Sequence, residues 1–325
     1  MRNLKTGRRF ILFPTIVICL VCLMSCQSTT SGNIDTLQIG YQKFGTLNIL
    51  KAEETLEEKL EPLGIEVEWN EFPAGPQLLE ALNAGSIDFG HTGEAPPIFS
   101  QAAGAPIIYI GNGPGSPKGE ALVVQNQSSI TSVNDLIGKK VALNRGSNVH
   151  YLLVKVLEEA GLTLEDIEVT YLPPADARIA FDRGDIDAWV IWDPFLAEAE
   201  KELGAKVLRN GEGLVANREF ILADKEFAEN HDDIVSIILE ELKAVEQFAQ
   251  NNIEETASFL SPEVGIENEI LEEVLKRRGF GIERITEEVA NDQQEIGDVF
   301  YELELIPENV NIQDALVEKN ERDVR

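Results

Sequence analysis

Residues 71–97 read EFPAGPQLLEALNAGSIDFGHTGEAPP, and the fold prediction rests on this stretch. Pro76 suits the first turn of a helix, where the missing N–H of proline costs no hydrogen bond. Apolar residues within 78–82 then form the buried face of an amphipathic helix. Gly85 can adopt the left-handed conformation that ends a helix. The first half of the stretch therefore predicts a helix that stops at a tight turn.

The second half of the stretch predicts a short strand, a polar loop and another helix. Residues 86–89, Ser-Ile-Asp-Phe, are strand-like, and residues 91–94, His-Thr-Gly-Glu, form the predicted loop. Pro96 and Pro97 mark the start of the next helix. Because free N–H groups at a helix N-terminus bind anions, we expect an anion site at this loop.

A short motif from this stretch occurs again in the second half of the chain. Gly-x-Ile-Asp stands at 85–88 and at 184–187, and nine positions after each glycine Glu94 corresponds to Asp193. The match predicts two halves with the same construction, although so short a motif also recurs by chance.

Polar loops after an earlier strand of each half, at 42–46 and 144–147, also resemble each other. In open α/β sheets, ligands bind at the carboxyl ends of the strands. Two such halves facing each other would form a cleft lined by four polar loops.

The remaining pattern indicates an α/β fold with a helical C-terminal segment. Predicted strands and helices alternate from residue 36 to about residue 210, which is typical of mainly parallel sheets flanked by helices. From Phe220 onward the predicted elements are mostly helices, including an amphipathic one over 234–248. Residues 318–325 are charged and predict a flexible tail.

The first residues of the chain resemble a bacterial lipoprotein signal. A basic region precedes an apolar segment, 10–24, that is too short for a confident membrane span. It ends Leu-Met-Ser-Cys, with Cys26 as the lipid-bearing residue, so we expect a signal peptide over 1–25 and a tether over 26–35. An ordinary signal peptide or an anchor helix is the alternative. All three cysteines lie in this region, which leaves no structural disulfide and no catalytic thiol beyond it.

Composition excludes several classes of function. A formal net charge of −30 is incompatible with a nucleic-acid-binding surface, which needs clustered Lys and Arg. The sequence has no His/Cys/Asp cluster at metal-ligand spacing, no phosphate-binding P-loop and no G-x-S-x-G elbow. We therefore expect no metal, no cofactor and no catalysis.

Several stretches together resemble the aliphatic-sulfonate-binding proteins of ABC importers, within a larger group that includes taurine- and nitrate-binding proteins. They are IGYQK (39–43), EFPAGPQ (71–77), GSID (85–88), TGEAPPIF (92–99), AAGA (102–105), GSNVH (146–150), YLPPADAR (171–178), IWDP (191–194) and DVFY (298–301). The resemblance covers roughly residues 36–315. Glu94 departs from the pattern, since the family more often has Asp there.

The resemblance implies a two-lobed periplasmic-binding-protein fold of type II-like construction, in which each lobe is a mainly parallel sheet flanked by helices. Lobe one would comprise 36–120 with 217–317, and lobe two 121–216. The implied function is capture of alkanesulfonates in the interlobe cleft. A monomeric, lipid-anchored protein, in the periplasm or on the outer face of the cytoplasmic membrane, would deliver them to a permease with a cytoplasmic ATPase for sulfur uptake.

Two alternatives stay open. The first is a binding protein for nitrate, taurine or another small anion. The second is an enzyme like the thiamine-pyrimidine synthases of a related fold, which would need a Cys-rich motif that the mature chain lacks.

The expected binding residues follow from the chemistry of a sulfonate. It stays ionised at physiological pH, so its recognition requires hydrogen-bond donors and positive potential, both of which helix N-termini provide. Two glycine-bearing segments each precede a predicted helix. They are Thr92-Gly93 and Gly146-Ser147-Asn148.

Four further side chains complete the predicted site. Gln42 ends a strand and can donate its amide, and His150 stands beside the second loop. Trp192 either lines the cleft for an alkyl tail or fills the core. Asp193 either contacts the ligand or caps the following helix, and capping is also the alternative role for Thr92 and Ser147.

Overall fold

Two five-stranded sheets form the framework of residues 34–316, the part of the chain that this computed structural model describes. The predicted signal peptide, Cys26, the tether up to residue 33 and the tail 318–325 lie outside the described residues.

The first sheet contains five strands, which are β1 (Thr36–Gln42), β2 (Glu66–Phe72), β3 (Phe89–Gly93), β4 (Ile107–Asn112) and β10 (Glu219–Asp224). Their spatial order is β2-β1-β3-β10-β4. β1 runs parallel to β2 and β3, whereas β10 runs antiparallel to β3 and β4.

The second sheet repeats this plan with β5 (Glu120–Val124), β6 (Lys140–Leu143), β7 (Glu168–Tyr171), β8 (Ala188–Trp192) and β9 (Lys206–Asn210). The order is β7-β6-β8-β5-β9, and here β5 is the antiparallel strand. In each sheet the antiparallel strand is the first one after the chain arrives from the other sheet, by way of 113–119 or 211–218. The prediction of mainly parallel sheets is confirmed.

In the described part of the chain, nine α-helices accompany the first sheet. They are α1 (Thr46–Glu53), α2 (Thr55–Leu60), α3 (Gly75–Asn83), α4 (Ala95–Ala102), α8 (Lys225–Asn230), α9 (Asp232–Asn251), α10 (Ile253–Val264), α11 (Asn268–Arg277) and α12 (Glu287–Glu302). Three of the helices between residues 34 and 316 pack on the second sheet, namely α5 (Asn148–Glu159), α6 (Pro174–Arg183) and α7 (Phe195–Glu202). We call the first sheet and its helices lobe one, and the second sheet and its helices lobe two. The helical C-terminal segment is confirmed, but β10 was missed.

The opening stretch folds as α3, β3 and α4, with one shift from the prediction. The strand begins at Phe89 and runs to Gly93, so His91 and Thr92 belong to it and not to a loop. The reason is β10, which pairs with β3 along its whole length and draws these residues into the sheet. Only Glu94 separates the strand from α4.

The repeated Gly-x-Ile-Asp motif has a structural explanation. Gly85 has the predicted left-handed conformation, with φ of 68°, and Gly184 has the same conformation, with φ of 75°. Asp88 then accepts a hydrogen bond from the N–H of Gln38 at 2.8 Å, and Asp187 accepts one from the N–H of Lys140 at 2.9 Å. Each carboxylate fixes the start of a strand onto its neighbour in the sheet.

Apolar packing holds the elements in these positions. In α9, Ile238, Leu242 and Ala249 are fully buried on the predicted apolar face. Another cluster of buried apolar side chains extends across both lobes. In it, the ring centroid of Phe300 in α12 lies 5.0 Å from that of Phe99 in α4 and 5.9 Å from that of Tyr151 in α5. Within residues 34–316, no helix combines the length and apolar character that crossing a membrane requires.

Candidate functional site

A cavity of about 140 Å³ lies where the carboxyl ends of β3 and β8 approach each other. Since one water needs roughly 10–15 Å³ by this kind of measure, the cavity has room for a small ligand. Its wall includes residues from both lobes and from both linking segments. The lining contains seven of the predicted site residues, which are Gln42, Thr92, Gly93, Ser147, Asn148, Trp192 and Asp193.

Most of the predicted side-chain donors already have acceptors within the protein. The amide of Gln42 donates to the carbonyl of His91 at 3.1 Å, and the hydroxyl of Thr92 donates to the carbonyl of Gly93 at 2.8 Å. Ser147 holds the N-cap position of α5, but its hydroxyl donates to the carbonyl of Asn144 at 2.7 Å. The donors left for an anion on this side are the backbone N–H groups of Asn148 and Val149 at the start of α5, where a helix offers them no acceptor. The next one, of His150, already donates to the carbonyl of Ser147 at 2.9 Å.

Asn148 connects the two lobes. Its Oδ1 accepts a hydrogen bond from the N–H of Ala95 in α4 at 3.1 Å, and its Nδ2 donates to Oδ1 of Asn217 at 2.7 Å. A Cβ placed on Gly93 would lie only 2.2 Å from the amide of Asn148. Glycine at position 93 therefore allows β3 and α5 to meet at the cavity wall.

His150 and Gly146 are not among the lining residues. The ring of His150 is fully buried and packs near Phe99, Tyr171 and Phe300. Its Nδ1 accepts a hydrogen bond from the N–H of Gly146 at 3.3 Å. Burial, helped by the charge of Arg145, lowers the pKa of His150 to about 4, so the ring is neutral at pH 7. His150 therefore stabilises the loop before α5 without lining the cavity.

Arg278 is a lining residue that the sequence analysis missed. It follows directly after α11, and its Nη2 donates to Glu246 at 2.8 Å and to the hydroxyl of Thr46 at 2.9 Å. Its other terminal nitrogen, Nη1, is buried and has no partner among residues 34–316. The second arginine of the lining, Arg218, pairs with Asp292 at 2.8 Å. Arg278 thus brings a buried, unused, positively charged donor to the cavity.

Glu219 lies beside Arg278 and contacts the ring of His91. It also accepts hydrogen bonds from the N–H and the hydroxyl of Thr46, at 3.2 and 3.0 Å. Burial alone would raise the pKa of Glu219, but His91 and Arg278 outweigh it, so the pKa falls to about 2. Glu219 is therefore ionised, and it holds Arg278 in place.

The two corresponding acids of the repeat have different surroundings. Glu94 lies outside this cavity and accepts hydrogen bonds from the N–H groups of Asn217 and Arg218, at 3.1 and 3.0 Å. Burial raises the pKa of Glu94 to about 7, although these two hydrogen bonds favour the ionised form and lower the pKa. Asp193 lines the cavity, and its Oδ1 accepts a hydrogen bond from the N–H of Ala197 in α7 at 3.1 Å. One oxygen of Asp193 therefore has the capping role.

Apolar groups complete the wall. Phe44, Pro96, Trp192 and Val274 line the cavity beside the polar residues. Trp192 ends β8, and its ring stands edge-on to Phe195 at 6.1 Å. Within residues 34–316, no three His, Cys, Asp or Glu side chains are grouped so that they could hold a metal ion. The site thus combines a charged donor, helix N-terminal N–H groups and an apolar wall, which suits a small anion with an apolar part.

Comparison with known proteins shows the family of this chain. The model of the NMT1/THI5-like family matches residues 61–256. A putative aliphatic sulfonates-binding protein of Escherichia coli is 41% identical over 87% of this chain and 88% of its own length. This chain belongs to the aliphatic sulfonate-binding proteins of the NMT1/THI5-like family.

Other members of the aliphatic sulfonate-binding family extend the match. A putative aliphatic sulfonates-binding protein of Bacillus subtilis is 31% identical over 94% of this chain and 93% of its own length. The alkanesulfonate-binding protein SsuA of Xanthomonas axonopodis, solved bound to MOPS, has a TM-score of 0.84 at 37% identity and covers 87% of this chain and 98% of its own. The predicted two-lobed periplasmic-binding-protein fold is confirmed.

Proposed function

We propose that this protein is an extracytoplasmic solute-binding protein of an ABC importer, and that it captures aliphatic sulfonates in the cavity between its lobes for sulfur uptake. The observation that carries the proposal is the free Nη1 of Arg278, which is buried at a cavity that the first turn of α5 also reaches. These donors would bind the sulfonate oxygens. The alkyl chain would lie against the apolar wall that Phe44, Pro96 and Trp192 contribute to.

Hydrogen-bond donors that contact the ligand would provide the affinity, and not the long-range electrostatic field of the protein. The chain has a net charge of −30, so long-range steering of an anion is unfavourable. Arg278 is moreover flanked by the carboxylates of Glu219 and Glu246. A hydrogen bond to a charged group contributes about 1.5–3 kcal/mol when it is made away from bulk water, so a few such donors suffice for specific binding.

We propose that ligand contacts come from the first turn of α5 at Ser147 and Asn148, from Thr92 and Gly93, and from Arg278. Gln42, Trp192 and Asp193 would line the remaining wall, because they face the same cavity. Gly146 and His150 would act indirectly, by shaping the loop before α5.

Nitrate, taurine and other small anions are the rival ligands within the binding class. Nitrate has no apolar part and would leave the apolar wall unused. An enzyme of the thiamine-pyrimidine synthase kind is the rival outside the class, and it would need cysteines that residues 27–325 lack. We therefore propose binding without chemical change.

The decisive experiment measures ligand-induced stabilisation of the purified protein. A ligand at a hundred times its Kd that binds the native state alone adds about 2.7 kcal/mol to the free energy of unfolding. Ethanesulfonate and butanesulfonate should raise the melting temperature, whereas nitrate and sulfate at equal ionic strength should not. A shift with nitrate and none with any sulfonate would contradict the proposal. Mass spectrometry should recover the bound sulfonate unchanged.

The cellular setting is also a proposal. We propose that the signal peptide over 1–25 is cleaved, that Cys26 carries a lipid, and that 26–35 tethers the domain in the periplasm or at the outer face of the membrane. The Leu-Met-Ser-Cys ending of the apolar segment supports this. The protein would act as a monomer that delivers its ligand to a permease with a cytoplasmic ATPase.

We further propose that the functional lobes are 36–120 with 217–317, and 121–216. The two linking segments, 113–119 and 211–218, end close to these boundaries, which supports them.

A further inference from the structure

Helix α7 of lobe two receives ion pairs from two separate elements of lobe one. Nζ of Lys43, in the turn between β1 and α1, lies 3.3 Å from Oε1 of Glu198. Nη2 of Arg277, the last residue of α11, lies 2.6 Å from Oε2 of Glu200. Both carboxylates belong to α7, which begins two residues after Asp193 of the cavity wall. These ion pairs therefore connect the lobes beside the cavity.

Lys43 contacts lobe two through an aromatic ring as well as through a carboxylate. Its Nζ stands 5.3 Å from the ring centroid of Phe195, another residue of α7. The carboxylate of Glu198 is held in place within its own lobe, because its Oε2 lies 3.3 Å from Nη1 of Arg178. The side chain of Glu198 is 9% exposed and that of Lys43 is 31% exposed. Since the pair is partly shielded from solvent, salt and water weaken it less than a fully exposed pair.

The turn that carries Lys43 forms part of the cavity. Gln42 and Phe44, on either side of Lys43, line the wall, although Lys43 itself does not. The side chain of Asn48 donates to the carbonyl of Lys43 at 3.2 Å, which fixes the turn to α1. An outward rotation of lobe two would carry α7 away from this turn and break the contacts of Lys43. These contacts therefore exist only while the lobes enclose the cavity.

Lys51 provides an internal comparison for Lys43. Its Nζ lies 3.6 Å from Glu263 and 5.7 Å from the ring centroid of Tyr41, and its side chain is also 31% exposed. Both partners of Lys51 belong to lobe one. The two lysines thus have the same exposure and the same kinds of contact, and they differ in the lobe that supplies the partners.

We propose that Lys43 is a positioning residue for ligand binding, which favours the closed arrangement of the lobes by holding α7 of lobe two against lobe one. The inference rests on the proposed function and adds to it a residue outside the cavity wall. A ligand enters between open lobes without meeting the contacts of Lys43, which form on closure. Lys43 should therefore slow dissociation of the ligand and have little influence on its association.

The test compares Lys43→Met with Lys51→Met in the purified full-length chain, using butanesulfonate as the ligand. Calorimetry should show an increase of about fivefold in Kd for Lys43→Met, the scale of a partly exposed ion pair together with a cation–π contact. Stopped-flow tryptophan fluorescence should place this change in the dissociation rate constant, with the association rate constant within about twofold. Lys51→Met should keep both rate constants within about twofold of the wild type.

A second background tests whether Glu198 is the partner through which Lys43 acts. In a chain that carries Glu198→Gln, the further substitution Lys43→Met should raise Kd by clearly less than it does in the wild type, because the ion pair is already lost. An undiminished effect would overturn the proposed role of the pair. A similar loss of affinity in Lys43→Met and Lys51→Met, or a loss confined to the association rate constant, would also overturn it.

Failure of the proposed function can be distinguished from failure of this inference. If the wild type binds no sulfonate, the proposed function is wrong, and small-angle scattering of the protein without ligand decides on Lys43. Lys43→Met should then have a larger radius of gyration than Lys51→Met, because its lobes separate more often. Equal radii would overturn the inference.

Discussion

Arg278 donates a hydrogen bond to Glu246 over 2.8 Å, and Glu246 is completely shielded from solvent. The pair joins the end of α11 to the C-terminal half of α9, and Nη1 of the arginine keeps no hydrogen-bond partner within residues 34–316. Glu246 accepts a second hydrogen bond, from the N–H of Gly281 at 3.0 Å. The arginine is therefore both a part of the lobe-one structure and the proposed partner of the sulfonate.

Replacing Arg278 by Met should weaken sulfonate binding and destabilise the fold. We expect a loss of about 1.5–3 kcal/mol in binding, roughly 10- to 150-fold in Kd, because a charged donor disappears. The free energy of unfolding should fall by about 3–5 kcal/mol, because Glu246 is left buried without its partner. Calorimetry and urea denaturation measure the two effects.

A second substitution separates the effect on binding from the effect on stability. In Arg278→Met with Glu246→Gln, the buried charge is gone, so most of the stability should return while the binding defect remains. Full recovery of affinity in the double variant would show that Arg278 acts only through the fold.

The contact between Gly93 and Asn148 should control closure of the lobes. In Gly93→Ala the new Cβ would lie 2.2 Å from the Asn148 amide. The Asn148 side chain cannot easily move away, because it already makes two hydrogen bonds. We expect the affinity for sulfonates to fall at least tenfold, about 1.4 kcal/mol. Small-angle scattering should show a larger radius of gyration in the presence of ligand than for the wild type.

Removing the Asn148 amide tests whether a steric clash causes the defect of Gly93→Ala. Asn148→Ala loses the interlobe hydrogen bonds and should itself bind more weakly. Adding Gly93→Ala to it should then cost little more, since the clashing amide is absent. Additive effects of the two substitutions would contradict a steric cause.

Asp88 and Asp187 should matter for stability and not for binding. Each fixes a strand through a side-chain hydrogen bond to a backbone N–H, and neither lines the cavity. Substitution of either by Ala should lower the free energy of unfolding by about 0.5–1.5 kcal/mol, the usual net contribution of one hydrogen bond that water can partly replace. The Kd for a sulfonate should stay within about twofold. A large change in Kd without a loss of stability would show that the Gly-x-Ile-Asp motif takes part in ligand binding.

These two aspartates also show what the sequence could and could not reveal. The Gly-x-Ile-Asp repeat correctly indicated two halves of one construction, because helix stops and strand starts depend on local residue types. The loop that was expected at 91–94 is instead the end of strand β3. The missing information was β10, a six-residue strand whose partners β3 and β4 lie more than a hundred positions earlier in the chain.

Among the residues that line the cavity, those with a local sequence signal were the ones predicted. Thr92, Ser147 and Asp193 stand beside glycine or proline at element ends, and such positions are recognisable in a sequence. Arg278 has no such signal, because it contacts Thr46 across 232 positions and Glu219 across 59. Only the packing of α11 against the sheet brings it to the cavity.

His150 should make stability depend on pH. Its pKa falls from 6.5 to about 4 on folding, mainly through burial. Between these values the unfolded chain binds a proton that the native ring does not, so the free energy of unfolding must decrease as pH falls from 6.5 to 4. The contribution reaches about 3 kcal/mol at the low end.

The comparison of variants isolates this effect. Raised pKa values of Glu94 and Asp193 act in the opposite direction in part of the same range, so the difference between wild type and His150→Gln is the quantity to measure. The variant should lose less stability between pH 6.5 and pH 4. His231→Gln, at the less deeply buried histidine before α9, should follow the wild type. Identical pH profiles for wild type and His150→Gln would contradict the assignment.

Cys26 should decide where the protein resides. If it is the lipid-bearing residue, Cys26→Ser must either remain unprocessed or appear in the soluble fraction, because serine has no sulfur through which a lipid could be joined as a thioether. Labelling with radioactive palmitate and detergent phase partition should show label and membrane association in the wild type alone. Cys22→Ser is the matched control, since this cysteine belongs to the same apolar segment but would be removed with the signal peptide. It should be labelled and partitioned like the wild type. Label that depends on Cys22, or membrane association that survives Cys26→Ser after processing, would mean that the anchor is not at Cys26.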